Sequence, residues 1–179
     1  MCFAAARNNN KLTREVKPIS LPKRRQIRLE DYDYSSCGAY FITVCTQDRA
    51  HLFGEIVGAT LCGRPNAPDK IVEKWLSELE KKYGGVCVDK FIVMPDHVHF
   101  ILRQAGDHIG SPLREIVGWF KTMTTNEYIR GAKSGLFSPF NRRLWQRGYY
   151  EHVIRNREDY ADVWQYIDGN PQKWADDHG

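Results

Sequence analysis

Apolar positions along the chain recur with two different periods. From Ala39 to Thr46 a run of aromatic and β-branched residues follows a turn at Cys37 and Gly38, and it predicts a strand. Ile71, Val72, Trp75, Leu76 and Leu79 then recur at helical spacing with Lys and Glu between them, and Gly84 and Gly85 end that helix after Tyr83. The segment before it, Gly63 to Asp69, carries Pro65 and Pro68 and is expected to be a loop. Val86 to Val93 reads as a second strand, Met94, Pro95 and Asp96 as a turn, and His97 to Leu102 as a third strand in a hairpin with the second.

A second long helix follows, with Ser111 as its N-cap, Pro112 at its first position and Leu113, Ile116, Val117, Phe120 and Met123 as its apolar stripe. Pro139 to Glu151 is expected to be irregular, with Val153 and Ile154 in a last strand. Asn156, with Glu158 and Asp159 behind it, caps a final helix that should run to about Asn170, where Pro171 stops it. Strand, helix, strand, strand, helix, strand, helix describes an α+β sandwich of the ferredoxin-like kind, with helices packed on an antiparallel sheet.

Composition narrows this picture only slightly. The 179 residues fit one domain, and 42% hydrophobic with 27% charged residues excludes collagen-like and wholly disordered chains. No apolar run approaches the roughly 20 residues that span a bilayer, and the N-terminus lacks a signal-peptide core, so a cytoplasmic location is expected. Cys2, Cys37, Cys45, Cys62 and Cys87 contain no CxxC pair, which argues for reduced thiols over a disulfide framework or a cysteine zinc site.

Charge changes the picture more. Arg7, Lys11, Arg14, Lys17, Lys23, Arg24, Arg25 and Arg28 face one acid, Glu15, in a stretch that also holds Pro18 and Pro22. Residues 1–28 therefore read as a flexible basic arm, and residues 29–179 as the folded domain. A second basic cluster, Arg142, Arg143, Arg147, Arg155 and Arg157, is interleaved with Trp145, Tyr149 and Tyr150. Arginines pair with phosphates and flat rings stack on unpaired bases, so this mixture suits single-stranded nucleic acid. A solvated arginine face above core aromatics is the plainer alternative.

The sharpest local signal is Met94-Pro95-Asp96-His97-Val98-His99-Phe100. Side chains two apart on a strand point the same way, so His97 and His99 share one face while Val98 and Phe100 take the other. Two imidazoles on one face can hold one divalent cation with positions left open. On the last helix Tyr160, Val163, Trp164 and Ile167 form the apolar stripe, with Tyr166 and Asn170 one turn apart at its margin.

Taken together, the chain resembles the single-tyrosine HUH transposases, and most closely the REP-associated tyrosine transposases of bacteria. The matching segments are Tyr40 to Val44 followed by Leu52-Phe53-Gly54, then Met94 to Phe100, Leu144 to Arg155, and Asp159 through Tyr166 and Asn170 to Pro171. The resemblance implies that His97 and His99 are the HUH histidines that bind Mg²⁺ or Mn²⁺, with Tyr166 the catalytic nucleophile and Asn170 a third, amide ligand. Gly169, directly before Asn170, is expected to loosen the last helical turn.

The resemblance also implies a DNA transposase that cleaves and rejoins single-stranded DNA at hairpin or palindromic sites through a 5′-phosphotyrosine. Arg142, Arg143, Trp145, Gln146, Arg147, Tyr149 and Arg155 are the expected DNA contacts. A monomer without an obligate protein partner is expected, a dimer with exchanged tyrosine helices being the alternative. Two other readings fit part of the pattern: a relative that binds palindromic DNA without cutting it, and a metal hydrolase unrelated to DNA. The second leaves the arginine and aromatic cluster unexplained.

Overall fold

The computed structural model describes residues 38–54, 56–57, 60–61, 67–105 and 112–178. The basic arm at 1–28, the Cys37 side of the first turn, the Ser111 cap and Cys2, Cys37 and Cys62 lie outside these residues.

Alternation builds the central sheet. In β1 (Gly38–Cys45) Tyr40, Ile42 and Val44 are fully buried on one face, while Phe41, Thr43 and Cys45 take the other. β1 pairs antiparallel with β5 (His97–Gln104) on one side and with β6 (Tyr150–Ile154) on the other. β4 (Val86–Met94) closes the far edge as a hairpin partner of β5, so the order is β4-β5-β1-β6 and every pairing is antiparallel. With a helix between the first and second and between the third and fourth of these strands, this is the expected ferredoxin-like α+β arrangement. A small hairpin of β2 (Ile56–Val57) and β3 (Thr60–Leu61), which the sequence pattern does not announce, lies outside the main sheet.

Helices α1 (Pro68–Lys82) and α2 (Leu113–Lys133) cover one face. Ile71, Val72, Leu76 and Leu79 of α1 and Leu113, Ile116, Val117 and Phe120 of α2 meet Tyr40, Ile42, Val98, Phe100 and Leu102 in the main core. Each such side chain contributes about 1.5–3 kcal/mol when fully buried. Three boundaries differ from the sequence reading. Helix α1 begins at Pro68, inside the expected loop, because a proline at the first helical position gives up no hydrogen bond. Helix α2 begins after Pro112, which stands at its N-cap. Its stripe turns from half-buried Met123 to Thr124 and Tyr128, which are buried. Between α1 and β4, Gly85 has φ +80°, and a side chain there would strike the Ala105 carbonyl.

Helix α3 (Arg157–His178) covers the opposite face through Val163 and Ile167, packed on Phe41 and Ile101, with Tyr160 and Trp164 at the margin. The backbone N–H of Asp159 donates to Asn156 Oδ1 at 2.8 Å, the expected cap. The helix does not stop at Pro171, however. It continues to His178, with Asn170 and Pro171 buried against the body. A proline costs an internal helix one backbone donor. The face beyond it offsets that loss by packing, since the Trp174 ring lies 5.8 Å from His97 and 5.4 Å from His51.

Candidate active site and nucleic-acid interface

The face under α3 is where the strand period delivers both histidines. His97 and His99 are 5% and 4% exposed and point the same way, opposite Val98 and Phe100. Their Nε2 atoms lie 3.0 Å apart. Each outer nitrogen is occupied: His97 Nδ1 meets Asp96 Oδ1 at 2.5 Å, and His99 Nδ1 meets Thr43 Oγ1 at 2.8 Å across the β1–β5 pairing. In the tautomer that donates Nδ1–H outward from both rings, both Nε2 lone pairs face inward.

Burial first, then the charge of His97 and Arg49, holds His99 far below the ordinary imidazole range, at about 3. The His99 ring is therefore uncharged at neutral pH. Burial opposes ionisation of Asp96, but its hydrogen bond with His97 and the nearby positive charge prevail and hold the carboxyl below its usual range. In that inward-facing tautomer two lone pairs meet at 3.0 Å, a spacing that suits a shared divalent cation. Among the described residues no three His, Cys, Asp or Glu side chains gather as a metal group. The fit to a cation thus rests on two imidazoles, with Asn170 lining the same cleft.

Tyr166 reaches the same place from α3. Its ring stands edge-on to His99 at 5.3 Å and to Phe41 at 5.7 Å, while Phe41 stacks on His99 at 5.2 Å. The residue is 47% exposed, so one side packs and the rest is open. Asn170, 8% exposed, lies one turn further along the helix. His97, His99, Tyr166 and Asn170 all line one open cleft of about 1070 Å³, together with Arg49, Gln146, Tyr150, His152 and Lys173.

The expected DNA contacts separate. Arg142, Arg143 and Arg147 are exposed and line a second groove of about 380 Å³, and Gln146 lines both this groove and the cleft. Arg155 is exposed at the end of β6. Trp145 departs from the base-stacking role expected of it. It is 4% exposed, stacks on Phe53 at 5.0 Å and donates Nε1–H to Thr124 Oγ1 at 2.8 Å. Its place in the core leaves almost none of its surface for a base. Half-buried Tyr149 packs against the same core, whereas Tyr150 is exposed and lines the cleft.

Trp145 instead anchors a connection. It bridges Thr46, and Gln146 N–H donates to the Cys45 carbonyl at 2.9 Å, which sets Gln146 on the cleft wall. The Lys121 ammonium donates to the carbonyls of Gln146, Arg147 and Gly148 from below. Burial lowers the Lys121 pKa, and the three carbonyls take up its donors. Sequence reasoning missed Thr43, Arg49, His152, Lys173 and Trp174 as parts of the site. Asp96, next to His97, carried a readable signal; the others are brought in by register and by the continued helix.

Among the described residues, no helix is long and apolar enough to cross a membrane, and Cys45 and Cys87 are free thiols.

Known proteins are similar to this chain in sequence and in fold. A protein of Haemophilus influenzae without an assigned function is 31% identical over 166 residues, covering 86% of this chain and 91% of that protein. A REP-associated tyrosine transposase of Escherichia coli is 32% identical over 88 residues, 48% of this chain and 44% of its own length. Among solved structures, a REP-associated tyrosine transposase bound to a REP hairpin is similar in fold, with a TM-score of 0.51 and 23% identity over 82% of this chain and 74% of that one. The family profile described as Transposase IS200 like matches residues 33–170. That span takes in the sheet, both histidines, Tyr166 and Asn170, and the chain belongs to the IS200-like transposase family.

Proposed function

We propose that this chain is a divalent-metal-dependent tyrosine transposase that cuts and rejoins single-stranded DNA at hairpin sites. The observation that carries the reading is the packing of Tyr166 against His99, beside two Nε2 atoms 3.0 Å apart. A phosphodiester needs an in-line nucleophile and positive charge on its non-bridging oxygens. His97 and His99, with Asn170, would hold Mg²⁺ or Mn²⁺, which supplies that charge when bound.

Tyr166 attacks the scissile phosphorus. The bond from its oxygen to phosphorus forms as the bond to the 3′ oxygen breaks, which leaves a 5′-phosphotyrosine and a free 3′-OH. The phenol proton passes to water, and the departing oxygen takes up a proton. A second 3′-OH reverses the step and joins strands without ATP, because the covalent link retains the phosphodiester energy. Asp96 and Thr43 keep both imidazoles turned inward, and Phe41 fixes the Tyr166 ring against them.

Hairpin DNA as the substrate is supported by the REP-associated transposase solved on a REP hairpin, and by the arginines beside the cleft. A monomer is the reading that the packing of Tyr166 on His99 of its own chain supports.

The test is incubation with single-stranded hairpin DNA and Mn²⁺, followed by mass spectrometry of the covalent adduct. A nucleotide on Tyr166, absent in Tyr166→Phe, is expected. Retained hairpin binding with no adduct in the parent would identify a relative that binds without cutting. An adduct on another tyrosine would refute the assignment of Tyr166.

A further inference from the structure

The turn after β1 is strained in a way that the proposed chemistry leaves unexplained. Asp48 and Arg49 have φ of 56° and 57°, two successive non-glycine residues in the left-handed region. Such conformations cost about 1–3 kcal/mol each and persist only where their surroundings over-determine them.

Here the surroundings fix one side chain. Arg49 Nε pairs with Asp96 Oδ2 at 3.0 Å, and its NH1 donates to Cys45 Sγ at 3.0 Å. Asp96 is 3% exposed and its other oxygen holds His97. The turn is pinned from both ends: Thr46 N–H and Gln47 N–H donate to the Asp96 and Leu144 carbonyls before it, and Phe53 N–H donates to the Pro95 carbonyl after it. The Arg49 side chain still keeps 53% of its surface exposed, and it lines the cleft beside His97, His99 and Tyr166. A guanidinium has five donors, of which two are spoken for here.

A purely structural partner for Asp96 would not need an arginine left half open to the cleft. A charge held in one place, with spare donors in a fixed fork, is what an arriving phosphate binds best. We propose that Arg49 is a phosphate-binding residue of the cleft, contacting one backbone phosphate of the DNA strand that lies across the histidine pair. The inference rests on the DNA-processing reading above. It adds a fixed contact from the turn after β1, an element other than the segment that carries the exposed arginines of the second groove.

The test is binding in EDTA, so that neither metal nor cleavage enters, to single-stranded hairpin oligonucleotides carrying one neutral methylphosphonate at each linkage in turn. The parent is expected to lose about five- to tenfold in affinity at one linkage near the cleft. Arg49→Ala should bind the unmodified DNA correspondingly more weakly, lose nothing further at that linkage, and have a salt slope smaller by about 0.7. Arg49→Gly, which accepts the left-handed backbone without strain, provides the same comparison should the alanine variant fail to fold.

A map identical in parent and variant, or a loss spread evenly over every linkage, overturns the proposal and leaves Arg49 a partner of Asp96 only. Failure of the parent to bind DNA overturns it as well. Absence of a covalent adduct alongside the expected map removes the cleavage reading and leaves this assignment standing.

Discussion

The Nε2 atoms of His97 and His99 face each other across 3.0 Å on the buried side of β5, each ring held from behind by a different element. Asp96 comes from the hairpin turn and Thr43 from the neighbouring strand. Two rings aimed at one point should act as one ligand set. His97→Ala or His99→Ala is expected to weaken Mn²⁺ binding by more than about tenfold and to abolish adduct formation. Calorimetry beside a melting curve checks this, and the folded state should persist in both variants.

Thr43→Val keeps the shape of β1 but removes the oxygen that Nδ1 of His99 meets at 2.8 Å. The ring then loses its fixed tautomer. Mn²⁺ affinity should fall by about 10- to 100-fold, the usual effect of losing an outer partner. The far-ultraviolet spectrum should not change.

Trp145 belongs to the fold. Trp145→Ala empties the space between Phe53 and Phe120 and removes the anchor of Gln146, and it should cost about 3–5 kcal/mol in denaturant unfolding. Trp145→Phe mainly removes the hydrogen bond to Thr124 and should cost on the order of 1 kcal/mol. A Trp145→Phe variant that folds like the parent but loses hairpin binding would restore the stacking role.

Binding to hairpin DNA should be steeply salt-dependent and tighter than to blunt duplex. Arg142, Arg143 and Arg147 line one groove, and each phosphate they neutralise on a single strand contributes about 0.7 to the log-log slope. Changing all three to Gln should flatten the slope by up to about 2. Titrations of parent and variant between 50 mM and about 200 mM salt measure it.

Acid should loosen the seat of α3. Burial opposes ionisation of Asp159, but hydrogen bonds from His152 and the Arg155 N–H outweigh it and hold the carboxyl below the ordinary 3.8. A depressed carboxyl stabilises the fold above its unfolded pKa and loses that contribution as pH falls through the folded value. Melting curves of the parent and Asp159→Asn should therefore differ above about pH 4 and converge below it.

The main elements and the candidate site residues are legible in the sequence, because the patterns that mark them are local. Period two placed His97 and His99 on one face of β5, and period 3.6 placed Tyr166 and Asn170 one turn apart beside the Val163 and Ile167 stripe. The order of strands and helices was enough for the ferredoxin-like arrangement. Tertiary structure alone decided which distant groups meet. The β1–β5 register brought Thr43 to His99, and a strained turn set Arg49 against Asp96. Packing also overruled local preference twice. Contacts beyond Pro171 carried α3 on to Trp174 against His97, where proline had predicted a stop. The core claimed Trp145, whose arginine neighbours had suggested a stacking surface. A side chain's neighbours in sequence say little about its neighbours in space, and burial is decided only once the sheet and helices have closed around it.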